Sequence, residues 1–477
     1  MLTKKAVNSY LFQAGIQIRK DALEFLMKYM EKRGFEEHAL EEIVDKLRKF
    51  QVVDIEELRS VFLDALKIRN NTQNYIAAID VFEDLPKYFY EEGFEAKEPG
   101  SMFAAAEAKS FMYRQRFSVI QDRILKNPDY SFELSTIDSL VGSSGEKIVL
   151  GMLSKIDGEN WYLEDLNSSV KLVISEIDKN TGFYCEGCVV LVQGVLVDTL
   201  FYVSCFIMPS LAKNPESFFG DQAYIEKHKG TDQVWELEWP EASFIVVLSN
   251  VHLNEPRVLR HLEKLFEGLE HMQQILFVLM GNFCSESEVN PYSYKDMFTS
   301  LVNTIENYES LKENAQWVFV PGPKDPGLGN FMPRQKLGDC FTFPLKSLKR
   351  WKFCSNPARV HLGGKKLVFA RTEQLRLLMR NSAVLPNYQE NPQPESHLAH
   401  TLVKQGHLCP SSAVLPDFDS ALWLDSEVEV LCLGENCNSF CYEVDEVKVA
   451  NPGHFSRYAN FISITANLEV QMCSLDN

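Results

Sequence analysis

Three short apolar runs, each ending in a polar turn, constrain the fold of this 477-residue chain more than any other feature. The runs cover residues 244 to 248, 275 to 280 and 317 to 320. Segments with helical periodicity lie between them, at about residues 256 to 270 and 293 to 312. Apolar strands that alternate with helices predict a layered α/β domain, which we place at residues 243–477, after a connector at 213–242.

The N-terminal region has a different pattern. Residues 1–72 carry apolar side chains every three or four positions, and we predict a small helical domain there. Residues 73–100 become acidic and close with Pro-Gly, which indicates a tether. We expect a connecting helical segment at residues 101–140.

Five short β-rich runs follow, separated by turn sequences. They predict a small OB-type β-barrel, which we place at residues 141–212. Such a barrel can bind single-stranded nucleic acid or dock a protein. Single-strand binding needs exposed aromatic rings on a basic groove, but Trp161 and Tyr162 stand beside the acidic pair Glu164 and Asp165. We therefore favour protein docking.

The charge balance limits the classes of partner. With 48 basic and 66 acidic residues the net charge is −18, which disfavours broad adhesion to nucleic acid or to anionic membranes. The most basic short segment is a predicted helix at about residues 104 to 126. We prefer to interpret it as a packed helix with a solvated basic face, although it also supplies candidate nucleic-acid contacts. These are Arg114, Arg116, Arg123 and Lys126.

The cysteines and the hydropathy indicate an intracellular, soluble chain. Eleven scattered cysteines are typical of free thiols in a reducing compartment. Cys185 and Cys188 form the one metal-like pair, but no second pair stands near it, so we expect no zinc site. No apolar run is long enough to span a membrane, and the first residues lack the cleavage region of a signal peptide.

The turns after the three apolar runs are where an α/β sheet builds its functional site. There the sequence resembles the motif series of two-metal phosphoesterases, which reads D-x-H, G-D, G-N-H-[DE], a lone His and G-H-x-H. The corresponding positions are degenerate here. They are Asn250, His252, Asn282, Pro323, Lys324, His407, Glu435 and Cys437.

The substituted residue types argue against metal-dependent hydrolysis. Two divalent ions about 4 Å apart need several anionic or imidazole ligands, and the bridging carboxylate of the pattern falls at Asn282. The ammonium group of Lys324 would repel divalent cations. We therefore expect no catalytic residues, no metal and no cofactor. We expect Asn250 and Asn282 to tie loop backbones together by side-chain hydrogen bonds.

Longer motifs carry a more specific resemblance. The stretches "LEDLNSSVKL" at residues 163–172, "VPGPKDPG" at 320–327 and "FCSNPARV" at 353–360 resemble segments of the B subunits of eukaryotic replicative DNA polymerases. The short sequences "GNF", "QGHL" and "NPG" are also similar. The resemblance spans most of residues 75–465, and "VPGPKDPG" is its most specific part.

The resemblance implies a multidomain α+β protein with an N-terminal helical domain, an OB-type barrel and a calcineurin-like phosphoesterase domain that lacks its metal ligands. Within the family, the order of the helical domain, "IDVFEDLPKYFY" and the "FMYRQRF" helix is similar to that of the epsilon branch. The alpha and delta branches begin differently. The segment after His407 and the pair Gly434-Glu435 depart from the epsilon pattern, which indicates a divergent lineage.

The resemblance also implies a non-catalytic accessory role in DNA replication and repair in the nucleus. The implied partners are the catalytic subunit of DNA polymerase epsilon, the GINS part of the replicative helicase through the helical domain, and small histone-fold subunits. DNA contact would be weak or indirect, and no membrane contact is expected. Two alternatives stay open: a B subunit of polymerase delta or alpha, and an active metal-dependent phosphodiesterase.

Overall fold

The computed structural model divides the chain into two units, Met1–Ala77 and Ala78–Asn477, and each is described by itself. No helix among the described residues combines the length and the apolar character that membrane crossing requires. The described residues are 17–18, 23, 52–53, 104–127, 130, 132–175, 181–209, 243–272, 274–286, 291–327, 331–411, 414–424 and 427–475.

The described part of the N-terminal unit contains a short parallel strand pairing. Strand β1 (Gln17–Ile18) pairs with strand β2 (Val52–Val53). Leu23 is helical and buried. The helical periodicity of residues 1–72 did not predict this pairing, because two-residue strands leave no period of their own. The rest of the predicted helical domain and the predicted tether at 73–100 lie outside the described residues.

A helix and a closed barrel begin the second unit. Helix α1 (Ala108–Lys126) precedes six strands, which pair in the order β3-β4-β5-β6-β8-β7, and β7 also pairs with β4 and so closes the barrel. The strands β6 and β8 are parallel. The five predicted β-rich runs correspond to β4 through β8. The strands are β3 (Leu134–Ser135), β4 (Lys147–Ser154), β5 (Tyr162–Glu164), β6 (Ser169–Ile174), β7 (Val189–Val197) and β8 (Leu200–Ile207).

Glycine permits the barrel to bend where two strands approach closely. The pairing of β7 with β8 shifts register between Gln193 and Gly194. A Cβ atom at Gly194 would collide with the backbone carbonyl of Tyr202. Because glycine has no side chain, the strands can close on each other at this bulge.

The first of two further sheets has six strands in the order β12-β11-β10-β9-β18-β19. The strands β9 to β12 are parallel, whereas β18 is antiparallel to both β9 and β19. The three apolar runs that the sequence singled out are β9, β10 and β11. The strands are β9 (Phe244–Ser249), β10 (Ile275–Met280), β11 (Gln316–Val320), β12 (Trp351–Phe353), β18 (Asn460–Thr465) and β19 (Val470–Ser474).

Helices and an aromatic core accompany the first sheet. The predicted helix at about 293 to 312 is two helices, since Tyr308 interrupts it in an extended conformation. The ring of Phe277 stacks on that of Trp317 at a centroid distance of 4.4 Å, and Phe266 meets both rings edge to face. The helices are α2 (Pro256–Leu269), α3 (Pro291–Glu306) and α4 (Glu309–Asn314), and the short α5 (Asp339–Thr342) precedes a 3-10 helix at Phe343–Ser347.

A second sheet of five strands in the order β13-β14-β15-β17-β16 was not predicted from the sequence. The strands β14, β15 and β17 are parallel neighbours, and antiparallel strands form both edges. The strands are β13 (Ala358–Leu362), β14 (Lys365–Ala370), β15 (Val428–Leu433), β16 (Phe440–Val444) and β17 (Val447–Asn451). The accompanying helices are α6 (Gln374–Asn381), α7 (Pro394–Gln405) and a 3-10 helix at Pro416–Leu422, whereas α8 (Phe455–Tyr458) contacts α2 and β18 of the first sheet.

Helix α7 joins the barrel to the second sheet. Three of its side chains, spaced four residues apart on one face, bond to the backbone that leads into β7. The N–H of Gly182 donates to His397 Nδ1 (3.1 Å), that of Phe183 to Thr401 Oγ1 (2.7 Å) and that of Val189 to Gln405 Oε1 (2.9 Å). Apolar side chains of the barrel, α7 and the second sheet form one buried cluster. Because this cluster spans both regions, it does not mark a boundary between them, and the predicted limits of the barrel and the α/β domain stay predictions.

We predict that Thr401→Val destabilises the second unit, because it leaves the buried N–H of Phe183 without an acceptor. An unsatisfied buried donor costs about 1–3 kcal/mol. The measurement is the midpoint of urea unfolding of the full chain. Thr299→Val is the matched control, since Thr299 is exposed and its hydroxyl donates to a carbonyl of its own helix. Equal shifts for the two variants would contradict the role assigned to Thr401.

Candidate functional site

The carboxyl ends of strands from both sheets meet at one place. The loops after β9, β10 and β11 belong to the first sheet, and those after β14 and β15 belong to the second. Ligand sites of α/β sheets are built from such loops. Among the described residues, no three His, Cys, Asp or Glu side chains form a group that could hold a metal ion.

Arg371, the first residue after β14, lies at the centre of these loops and is only 1% exposed. Its Nε donates to the carbonyl of Gly281 (2.9 Å), and its Nη2 donates to Asn250 Oδ1 (2.9 Å). Its Nη1 donates to the carbonyl of Thr372 (2.5 Å). One guanidinium therefore connects the loops after β9, β10 and β14. Sequence reasoning did not single out this residue.

Neighbouring residues make room for the Arg371 side chain and bond to its backbone. A Cβ atom at Gly434, which follows β15, would lie 2.7 Å from Arg371 Cδ and 2.7 Å from Ser249 Oγ. Asn356 bonds to the backbone of Arg371 on both sides, because its Oδ1 accepts from the N–H (3.1 Å) and its Nδ2 donates to the carbonyl (2.7 Å). The same Nδ2 donates to the carbonyl of Pro321 (2.9 Å), which brings the loop after β11 into the network.

The two asparagines of the degenerate motif bond within this region. Asn282 Oδ1 accepts from the backbone N–H of Lys324 (2.9 Å), as expected for a side chain that ties two loops together. Asn250 differs from expectation, because its amide oxygen accepts from the Arg371 side chain rather than from a backbone group. Its own N–H donates to the carbonyl of Gly281 (3.2 Å). The side chain of Lys324 is exposed, and Pro323 is half-buried.

Asp325, within the stretch "VPGPKDPG", is a buried carboxylate that sequence reasoning did not single out. Its Oδ1 accepts from the N–H of Phe283 (2.8 Å) and from the hydroxyl of Tyr294 (2.9 Å). Its Oδ2 accepts from the N–H of Gly322 (2.7 Å). Burial raises the pKa of Asp325, and the three donors oppose that rise. The carboxylate fixes the loop after β11 against the loop after β10.

Two imidazoles lie near Arg371. His252 Nδ1 is 2.9 Å from Glu255 Oε1, and burial lowers the pKa of His252. His454 contacts Asn436 Oδ1 through Nε2. Burial lowers the pKa of His454 to about 4, and the charge of Arg371 acts in the same direction. Both imidazoles are therefore neutral at neutral pH.

The last two motif positions have structural contacts. Glu435 accepts from the Thr372 hydroxyl (2.5 Å) and from the N–H groups of Gln374 (2.7 Å) and Leu375 (3.3 Å), and so satisfies the N-terminus of α6. Burial raises the pKa of Glu435. Cys437 Sγ accepts from the side-chain amide of Asn451 (3.3 Å).

His407 belongs to a different network, at the contact between α1 and the 3-10 helix Pro416–Leu422. Its Nδ1 accepts from the N–H of Cys409 (3.0 Å), so Nε2 carries the proton and donates to Asp419 Oδ1 (3.2 Å). Arg116 binds the same carboxylate through Nε (3.1 Å) and Nη2 (2.5 Å). Although burial alone would raise the pKa of Asp419, Arg116 and His407 hold it below its usual value.

This network corrects part of the sequence interpretation. Arg116 and Arg123 are buried, at 5% and 4% exposure, so neither is available as a nucleic-acid contact. Arg116 can be buried because its charge is paired with the carboxylate of Asp419, which is 303 residues away in the sequence. Arg114 is exposed, and the side chain of Lys126 lies outside the described residues. The prediction of a packed helix agrees with these positions, but the predicted solvated basic face does not, because two of its four cations are buried.

The metal-like cysteine pair is also buried. Cys185 and Cys188 are free thiols within the cluster shared by the barrel and the second sheet. Burial raises the pKa of Cys188 to about 11, and it also raises that of Cys185. Both side chains are therefore protonated at neutral pH and pack as small apolar groups.

Two parts of the second unit match known protein families. Residues 245–442 match the family of B subunits of DNA polymerases alpha and epsilon, and residues 106–210 match the DNA polymerase epsilon subunit 2-like OB-fold domain. The B subunit of DNA polymerase epsilon from Arabidopsis thaliana is 28% identical over 521 residues, and the match covers 99% of each chain. The Homo sapiens DNA polymerase epsilon subunit 2 is 26% identical, over 96% of this chain and 95% of its own.

Among solved structures, an archaeal phosphodiesterase covers 49% of this chain and 99% of its own, with a TM-score of 0.27 and 16% identity. A likeness at this score carries no information about function.

We predict that Arg371→Met destabilises the full chain by at least about 3 kcal/mol, because several buried acceptors lose their donor. The midpoint and slope of urea unfolding measure the effect. Arg376→Met is the matched control, since Arg376 is exposed on the adjacent helix α6, and it should change stability by less than about 0.5 kcal/mol. A tolerated Arg371→Met would contradict the central position of this guanidinium.

We also predict a pH dependence from His454. Its folded pKa of about 4 lies below the ordinary value of 6.5, so between these values only the unfolded state binds the proton. The contribution of His454 to the free energy of unfolding is fully present above about pH 6.5 and is lost as the pH falls toward 4. The slope for one histidine is up to about 1.4 kcal/mol per pH unit. His454→Gln should reduce the slope of the unfolding free energy against pH.

The matched control for this pH experiment is His271→Gln, in an exposed turn after α2. It should have the smaller effect on the slope, because His271 is not buried among cations. A slope that His271→Gln reduces more than His454→Gln would contradict the assignment.

Proposed function

Because the chain belongs to the family of B subunits of DNA polymerases alpha and epsilon, we propose that it is the non-catalytic accessory subunit of DNA polymerase epsilon. In this role it binds and stabilises the C-terminal region of the catalytic subunit. The N-terminal helical domain links the complex to the replicative helicase through GINS, and small histone-fold subunits complete the assembly. The complex acts in the nucleus, in chromosomal DNA replication.

One observation carries the non-catalytic part of this proposal, namely the buried guanidinium of Arg371. A two-metal hydrolase needs anionic or imidazole ligands that converge from the strand-end loops. Here a fixed cation bonds to Asn250 and to the carbonyl of Gly281 in those loops. Although the half-exposed carboxylate of Glu373 lies 3.3 Å from Nη2, the buried positive charge disfavours divalent ions, and the amide of Asn282 adds no negative charge. This arrangement supports a phosphoesterase-like domain that serves as a scaffold.

The hydrogen-bonded junction between the barrel and the second sheet supports the docking role. A partner that binds a preformed surface loses less conformational entropy than one that must order flexible segments. The ladder of hydrogen bonds from α7 fixes the barrel on the second sheet, and the Arg116–Asp419 pair fixes α1 at the same junction. The net charge of −18 favours a partner segment with basic residues.

The test is copurification of the tagged full chain from a nuclear extract, followed by identification of the recovered polypeptides by mass spectrometry. We expect a large DNA polymerase epsilon polypeptide in a 1:1 ratio with the chain. Recovery of the catalytic subunit of polymerase delta or alpha instead would show that the assignment of the chain to polymerase epsilon is wrong. Recovery of the chain alone would overturn the accessory role.

Chemical cross-linking of the same complex tests the helicase link. We expect cross-links from lysines in residues 1–72 to GINS polypeptides, because that domain precedes a tether that allows docking at a distance. Arg371→Met serves as a control for fold, since unfolding of its unit, Ala78–Asn477, should lose the polymerase whereas the cross-links from residues 1–72 to GINS should persist. Helicase cross-links confined to the barrel would contradict the assignment to the N-terminal domain.

A further inference from the structure

A strongly basic segment stands out in this acidic chain. Residues 334–352 contain six cations and one carboxylate, which gives 6 − 1 = +5, whereas the whole chain carries −18. The segment includes α5, the 3-10 helix Phe343–Ser347 and most of β12, the edge strand of the first sheet. It packs against α3. Its charged residues are Arg334, Lys336, Asp339, Lys346, Lys349, Arg350 and Lys352.

Two cations flank an exposed aromatic ring where this segment packs against α3. The Nζ atoms of Lys295 and Lys346 lie 5.7 Å and 5.5 Å from the centroid of the Phe343 ring. Tyr292 precedes Lys295 by three residues on α3, so the two side chains are neighbours on the helix surface. Lys349 follows Lys346 by three residues. We call Tyr292, Lys295, Phe343, Lys346, Lys349 and Arg350 the cationic strip.

The two rings are exposed to an unusual degree. Tyr292 is 75% exposed and Phe343 is 57% exposed, whereas most phenylalanines of the α/β domain lie in its core. Exposed rings beside cations offer stacking faces next to positive charge. The cation–π contacts also hold the two lysines beside Phe343.

The carboxylates near the strip leave its charge available. Lys346 Nζ is 3.1 Å from Asp339 Oδ2, and Lys349 pairs with Glu313. All four side chains are exposed, and surface ion pairs of this kind contribute little to stability. A ligand with several phosphates can therefore displace them.

We propose that the cationic strip binds a single strand of nucleic acid. The phosphate backbone follows the lysines and Arg350, and bases stack on the exposed rings of Tyr292 and Phe343. This pairing of a charged track with stacking platforms is the general chemistry of sequence-independent single-strand binding. An acidic peptide would satisfy the lysines but would bring no bases to stack on the exposed faces of the two rings. The inference does not depend on which polymerase the chain serves.

The test measures binding of a fluorescein-labelled oligothymidylate of about 20 nucleotides to the full chain by fluorescence anisotropy at several salt concentrations. We expect binding at about 50 mM salt that weakens steeply as salt rises, because phosphate contacts release counterions. The triple variant Lys295→Glu, Lys346→Glu, Lys349→Glu should lose at least about tenfold in affinity. Its slope of log affinity against log salt should be smaller by about 2, at about 0.7 for each lost contact.

The matched control is the triple variant Lys264→Glu, Arg376→Glu, Arg380→Glu, which reverses three exposed cations elsewhere. Both triples change the net charge from −18 to −24, so a difference between them reports position rather than total charge. Circular dichroism establishes that each variant is folded.

Further variants separate stacking from charge. Phe343→Ser with Tyr292→Ser should weaken binding with little change in the salt slope, because stacking releases no counterions. Three results would overturn the proposal: the absence of binding by the unaltered chain at about 50 mM salt, equal losses for the two charge-reversal triples, or tighter binding of polyglutamate than of the oligonucleotide. The last of these would assign the strip to an acidic protein segment.

Discussion

The guanidinium of Arg371 is the interaction on which the arrangement of the two sheets depends. A buried charge costs several kcal/mol unless its donors are satisfied. Here they are, by the carbonyls of Gly281 and Thr372, the amide oxygen of Asn250 and the carboxylate of Glu373. Because these acceptors belong to loops of both sheets, one side chain sets the spacing of the strand ends. Gly434 provides the room that the side chain needs.

The proposed scaffold function rests on this constraint and on a second buried ion pair. Arg116 and Asp419 join α1 to the 3-10 helix Pro416–Leu422, and Gln405 bonds to β7 from α7. The barrel and the α/β domain are therefore held at a fixed junction rather than by a flexible linker. A fixed junction suits a subunit that presents one preformed surface to a large partner. It is also consistent with a family whose members are accessory subunits of DNA polymerases.

The sequence predicted the barrel strands β4 to β8 and the strands β9 to β11, because long runs of apolar or alternating residues have a clear period. It did not predict the second sheet. Its edge strand β13 reads "ARVHL" and β14 begins with two lysines, so neither resembles a buried strand. The degenerate motif led to Asn250 and Asn282, yet their neighbour Arg371 was missed, since a lone arginine after a strand has no spacing signal. The burial of Arg116 depends on a carboxylate 303 residues away, which no local pattern reveals.

Anomalous diffraction from crystals of the chain soaked in Mn²⁺ tests whether the strand-end loops can hold metal ions. The Arg371 guanidinium should stay bonded to Asn250 and Gly281, and no pair of ions should appear among these loops. Two anomalous peaks about 4 Å apart at that position, with Arg371 displaced, would contradict this expectation.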